Sequence, residues 1–145
     1  MLMLTTVLVA GMATMPPPAH PRKPEILPCP SIEVLKADAL RPPRKPVFSA
    51  RQVGDLEFVL TSSHKLAGQQ VQLKLLTPSG HLYQTLNGTL AAPRHRHHSA
   101  ETRLRLPVSG TLIERSSLYG NWHAELLLDG STTACRRPLS FTLNR

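Results

Sequence analysis

Residues 117–130 read SLYGNWHAELLLDG, and their pattern decides the class of the whole chain. Trp122, Ala124, Leu126 and Leu128 alternate with Asn121, His123, Glu125, Leu127 and Asp129. Successive side chains of an extended backbone point to opposite sides, so a period of two gathers one apolar row on one face of a β-strand. A tight entry turn precedes the strand, and Asp129-Gly130 after it accepts the positive φ of a hairpin turn. Trp122 is the single tryptophan and stands at the start of the row. It is the natural core anchor, with Leu126 and Leu128 further along the same face.

The same alternation recurs from Val47 onward. Leu56, Phe58 and Leu60 form a row with Glu57 and Thr61 opposite; Val71, Leu73 and Leu75 form another opposed by Gln72 and Lys74. Thr77-Pro78-Ser79-Gly80 then turns the chain into His81–Leu86, with proline and glycine where a tight turn wants them. Leu104, Leu106 and Val108 alternate with Arg103 and Arg105, and Leu139, Phe141 and Leu143 with Ser140, Thr142 and Asn144. No segment sustains a helical period. One sheet cannot cover all these rows, whereas two facing sheets bury them. The pattern therefore predicts an all-β, two-layer antiparallel sandwich of about seven short strands. Roughly fifteen large apolar side chains, each worth about 1.5–3 kcal/mol when withdrawn from water, are enough for an independent domain.

The chain divides into three parts. Residues 1–15, MLMLTTVLVAGMATM, carry no charge and hold all four methionines. The run is short for a membrane span and suits the apolar core of a secretory signal, with Gly11-Met12-Ala13 as small residues for cleavage. Basic residues before it are missing, and an uncleaved anchor is the competing reading. Residues 16–46 hold most of the fourteen prolines and read as an extended linker. Within it Ser31–Leu40 offers a short edge strand through Ile32 and Val34, the favoured reading, or one or two helical turns. Residues 47–145 are the sandwich domain.

Composition bounds the function. With 145 residues the chain holds one domain plus a leader or tail. Lys and Arg number 17 against 9 Asp and Glu, a net charge of +8. The excess is spread along the chain, aromatic platforms for stacking bases are missing, and no zinc-finger or helix-turn-helix pattern appears, so nucleic acid is not the expected partner. There is no Gly-x-Ser-x-Gly elbow, phosphate loop or HExxH, and no pair of carboxylates close in sequence, so the chain is not read as an enzyme.

One stretch concentrates chemistry, RHRHHS at Arg94–Ser99. In an extended segment His95 and His97 point the same way, with His98 on the other side. No carboxylate or cysteine is spaced to complete a metal shell, and Arg94 and Arg96 repel a cation, so no metal or cofactor is assigned. An amino-terminal copper site at His20 fails as well, since Pro17 is misplaced for the cleavage it needs. A solvated loop is the plain reading of the stretch. The sharper one is a polyanion-binding patch of Arg94, His95, Arg96, His97 and His98 with Arg103 and Arg105, joined by Arg136 and Arg137, which gains charge as pH falls. His64, His81 and His123 stand singly as surface residues. Asn87-Gly88-Thr89 matches a glycosylation acceptor, but Asn-Gly is first a turn signal.

Leu106–Gly130 with the closing Leu139–Leu143 resembles the last strands of bacterial secreted immunoglobulin-like domains, in which a Gly-x-Trp opens the penultimate strand and an Asp-Gly turn follows it. Here those positions are Gly120, Trp122, Asp129 and Gly130. The paired core cysteines of antibody domains are missing. The resemblance implies an immunoglobulin-like sandwich and an accessory or adhesive role outside the cytoplasm.

Export is therefore the expected localisation: periplasmic, secreted or at the cell surface. The function expected is a non-enzymatic interaction or accessory module whose partner is an envelope or extracellular protein, with acidic polysaccharide or an anionic surface as the alternative ligand and membrane contact only through an uncleaved leader. An exported chain with two cysteines has one pairing, Cys29 with Cys135, allowed in an oxidising compartment. Free thiols are the default if the chain stays in the cytoplasm, and Pro28 directly before Cys29 speaks against a lipid-bearing cysteine.

Overall fold

The computed structural model describes residues 29–92, 99–131, 134–135 and 138–145. Among them eight strands run in the order β1 (Ser31–Lys36), β2 (Val47–Ser49), β3 (Asp55–Ser63), β4 (Gln70–Leu76), β5 (Leu82–Thr89), β6 (Ser99–Pro107), β7 (Gly120–Leu128) and β8 (Leu139–Asn144). One sheet has the order β1-β3-β6 and the other β2-β8-β7-β4-β5. The chain is an all-β sandwich of two packed layers, as the alternating rows require.

Each row turns inward where the period of two places it. Leu56, Phe58 and Leu60 on β3, Leu73 and Leu75 on β4, and Leu106 on β6 are fully buried, as are Trp122 and Ala124 on β7 and Leu143 on β8. Leu126 joins them, while Leu128 at the end of its strand is partly buried against the cluster. Leu127, on the opposite face of β7, is buried as well. The layers are joined by rings. Trp122 stacks on Phe141 at 6.0 Å, Tyr83 meets its edge at 5.3 Å, and Phe141 meets Phe58 of the other sheet edge-on at 5.5 Å. The indole N–H donates to the Leu118 carbonyl at 2.9 Å, so the one polar atom of this large side chain is satisfied inside the core.

The turn chemistry also follows the sequence. Gly80 adopts φ of 84° and donates its N–H to the Thr77 carbonyl at 2.8 Å, closing the β4–β5 hairpin. Gly130 adopts φ of 69° in the turn closed by Ser131 N–H to Leu128 O at 2.7 Å. The connection to β8 then continues to Leu139 rather than closing as a two-residue hairpin. Between β6 and β7 the chain makes a single helical turn, α1 (Leu112–Arg115), whose first turn is capped by Thr111 accepting from the Ile113 N–H.

Two features depart from the sequence reading, and one expectation is met. The pairing is not antiparallel throughout: β2 runs parallel to β8, with Val47 opposite Thr142. The prolines before β2 carry the chain from one layer to the other, and Pro46, which has no N–H to give, uses its carbonyl to accept from Thr142 N–H at 2.8 Å. The edge strand expected within the proline-rich segment is present as β1, which pairs along its whole length with β3. Asn87-Gly88 makes no turn but lies within β5. A β-carbon at Gly88 would stand 2.7 Å from Leu104 Cδ2 on the facing sheet, so glycine is there for the close approach of β5 to β6.

Two stability predictions follow from this packing. Trp122→Ala removes the central ring and should lower the unfolding free energy by about 3–5 kcal/mol in urea titration; an unchanged midpoint would place the indole outside the core. Gly88→Ala should cost about 1–3 kcal/mol through overpacking against Leu104. Gly54→Ala, where a β-carbon meets nothing within 4 Å, should leave the thermal midpoint nearly unchanged.

Candidate functional site

Of the basic residues singled out in the sequence, Arg94, His95, Arg96, His97 and His98 lie outside the described residues, as do His20, Arg136 and Arg137. Arg103 and Arg105 are described. Both are on β6 and alternate with the buried Leu104 and Leu106, so they project from the outer face of the three-stranded sheet. Register across that sheet places Arg103 opposite Val59 and Arg105 opposite Glu57, with Glu33 and Leu35 of β1 on the far side of β3.

This juxtaposition makes an ion-pair lattice. Arg103 Nε donates to Glu101 Oε1 at 2.8 Å and Nη1 to Glu57 Oε2 at 3.2 Å. Arg105 stands 3.8 Å from carboxylate oxygens of Asp38, Asp55 and Glu57, close enough for attraction but too far for hydrogen bonds. The hydrogen bond to Glu101 holds the Arg103 guanidinium above its ordinary pKa; burial works against it, and the charges of Glu101 and Glu57 add to it. Glu57 is the hinge of the lattice. Its side chain is only 9% exposed because β3 is the middle strand, whereas both arginines keep about half of their surface in water. A carboxylate so enclosed needs its partners, while each exposed guanidinium remains hydrated. With Glu33, Asp38, Asp55, Glu57 and Glu101 against Arg103, Arg105 and the neighbouring Lys36, these groups carry a surplus of negative charge.

Beside the lattice is a groove of about 270 Å³. Leu35 and Val59, both buried, are its apolar part, and Glu33, Glu101 and Arg103 its polar border. The segment after β1 borders the other side. Asp38 takes a left-handed φ of 69° in a turn closed by Ala39 N–H to Lys36 O at 3.0 Å, which brings Ala39, Leu40 and Pro42 to the groove. Leu40 is 99% exposed, the most exposed large apolar residue described. The sequence row Leu35–Val59 was hidden because these residues lie on the faces opposite to the core rows of β1 and β3; only strand pairing reveals that they meet.

The other predicted pair is joined. Cys29 and Cys135 form a disulfide with Cα atoms 5.7 Å apart, linking residues 106 positions distant. The bond ties the segment before β1, in one sheet, to the connection between β7 and β8 of the other. Cys135 is further held by its N–H to the Leu126 carbonyl at 2.6 Å. The remaining histidines are local. His81 Nδ1 and Ser79 Oγ lie 2.9 Å apart in the β4–β5 turn, and His123 Nδ1 bonds Ser140 Oγ at 3.0 Å on the outer face of the five-stranded sheet. On that sheet an open groove of about 500 Å³ is lined by Gln70, Gln72, Asn87, Thr89 and Asp129. Among the described residues, no three His, Cys, Asp or Glu side chains gather as metal ligands, and no helix is long and apolar enough to cross a membrane.

No protein-family model matches the chain, and no curated protein matches it.

Glu57→Gln keeps the shape of the lattice hinge and removes its charge. It should cost about 1.5–3 kcal/mol, the usual worth of a hydrogen bond to a charged group, while Glu33→Gln on the exposed border should change stability by less than about 0.5 kcal/mol. Equal effects of the two in chemical denaturation would show that Glu57 is not the anchor of the face. Cys135→Ser should lower stability by up to about 4–5 kcal/mol, because the bond closes a loop of about a hundred residues, measured against the oxidised parent in guanidinium titration.

Proposed function

We propose that the chain is an exported, non-enzymatic interaction module of the cell envelope or extracellular space, built as an immunoglobulin-like sandwich. The observation that carries the reading is the Cys29–Cys135 bond. Disulfides persist in oxidising compartments and are rare in the cytoplasm, so the bond and the apolar leader argue for the same side of the membrane. The strand order supports the immunoglobulin-like reading: β1-β3-β6 faces β2-β8-β7-β4-β5, the arrangement of strands A, B and E against G, F, C and C′ with the first strand shared between layers. The disulfide differs from the antibody pattern, since neither cysteine is on β3 or β7.

The surface we assign to the partner is the groove beside Leu40. An exposed leucine, an apolar depression and a border richer in carboxylates than in arginines suit a protein segment that offers an apolar side chain flanked by basic ones. Acidic polysaccharide suits this face less well, because Arg103 and Arg105 are already committed to carboxylates.

Two measurements test the reading on the full chain in its native host. Thiols are trapped by alkylation before lysis, and the intact mass should show Cys29 and Cys135 oxidised, in the exported fraction. A photo-crosslinking amino acid at position 40 should then yield an adduct with an envelope or extracellular protein that the same group at Ser140, on the other sheet, does not. Reduced thiols in the cytoplasmic fraction would overturn export, and identical adducts from both positions would overturn the groove as the partner face.

A further inference from the structure

We propose that the outer edge of β5 is a self-association surface, on which two copies of the chain pair β5 antiparallel with β5 about a two-fold axis near Leu86. The two five-stranded sheets then become one continuous sheet.

Among the described residues, no strand pairs with the outer side of β5. In its sheet β5 neighbours β4 alone. Leu90 N–H donates to Gln69 O at 3.0 Å, directly beyond the pairing of Gln70 with Thr89. In an antiparallel pair the residues that bond the partner strand alternate with residues whose N–H and C=O point away from it. Counting back from Leu90, the groups of Thr89, Asn87 and Thr85 face away from β4. A row of donors and acceptors at strand spacing is a template for another strand.

The four edges of the sandwich are not equivalent. β1 carries Glu33 and Lys36. β6 carries Glu101, Arg103, Arg105 and Pro107, and Ala91 already occupies part of its edge through a bridge to Glu101. β2 has three residues and follows Pro46. Charge, proline, brevity and cover are the usual protections of an edge. β5, LYQTLNGT, is eight residues long without a charge or a proline, in a chain of net charge +8, and among the described residues no strand covers its outer edge.

That absence of charge is what points to a second copy rather than to a different strand. Two copies meeting about a two-fold axis bring the same set of side chains to the seam, so an edge with charges of one sign would repel its copy. β5 brings no charge to the seam, and only Leu86 meets its own copy. Pairing centred on Leu86 sets Thr85 opposite Asn87 of the second copy and Gln84 opposite Gly88, which keeps the outer faces of the two sheets aligned. It also matches the outward groups of Thr85 and Asn87 to one another. Lys74 of β4, the nearest cation on that face by register with Thr85, then lies about 16 Å from its copy, three strand spacings of about 4.8 Å across and two residues along. That exceeds the Debye length of about 8 Å at physiological ionic strength.

This surface is separate from the groove beside Leu40, on the other sheet, so either can fail without the other. The oxidised chain is examined by sedimentation velocity over a concentration series, with hydrogen exchange at its two ends. A reversible dimer is expected. The amides of Thr85 and Asn87 should become protected as the dimer forms, while that of Leu86, which bonds β4, is protected throughout. Thr85→Lys and Asn87→Lys should each weaken dimerisation about tenfold or more, since about 1.4 kcal/mol of repulsion is a factor of ten, with an unchanged thermal midpoint of the monomer. Thr142→Lys, on the β8 side of the same sheet, should leave the dimer intact. A chain that stays monomeric at every concentration overturns the proposal. So does a dimer that survives both lysines, or one that forms without new protection at Thr85 and Asn87.

Discussion

Phe58 and Phe141 meet edge to face across the interior, and the rest of the sandwich depends on that contact between its layers. Phe58 belongs to the middle strand of the small sheet and Phe141 to β8 of the large one. Trp122 lies against Phe141 on the next strand, and Tyr83 closes on Trp122 from the hairpin beyond. Four rings thus span the molecule from one layer to the edge of the other. Around them the space is filled mostly by leucine and valine, which supply burial without direction. The rings supply the direction, because each prefers a particular approach to its neighbour. Gly88 belongs to the same constraint: where β5 comes closest to the facing sheet, Leu104 occupies the volume that a β-carbon would need.

The two outer faces have different physical characters. On the small sheet the middle strand carries Glu57, which burial would penalise without the two guanidinium groups beside it. The arginines that contribute to the chain's positive charge are spent there on internal compensation. Net charge therefore misdescribes this face, which is locally acidic although the whole chain is basic. The large sheet presents amides, hydroxyls, a histidine–serine pair and Lys74 in register with Glu125, while its edge strand β5 carries no charge. The disulfide binds these unlike halves together at the point where the chain enters the small sheet, tying the segment before the first strand to the connection between β7 and β8.

A proline-rich opening and a sandwich fit together through this entry. Pro42, Pro43 and Pro46 cannot serve as donors in a sheet interior, and they occupy the passage between layers where none is required. β1 pairs with β3 before that passage and β2 with β8 after it, so one stretch of chain contributes an edge to both sheets. The same passage carries Leu40 outward beside the groove formed by Leu35 and Val59. Backbone chemistry that forbids a sheet thus positions the most exposed large apolar side chain among the described residues.

What the sequence determined by itself was whatever depends on neighbours in the chain. A period of two marked the inward rows of β3, β4, β6, β7 and β8, and turn residues marked the β4–β5 hairpin, because both are local consequences of an extended backbone and of allowed φ. The pairing of Cys29 with Cys135 was legible for a simpler reason: the chain has only two cysteines. Tertiary structure alone decided the rest. Arg103 and Arg105 read as free cations until strand register set them beside Glu57 and Asp55, and Asn87-Gly88 read as a turn until the facing sheet explained its glycine. The direction of β2 and the free edge of β5 were hidden for the same reason. Which strand lies beside which depends on contacts between residues far apart in the chain, and no local period carries that information.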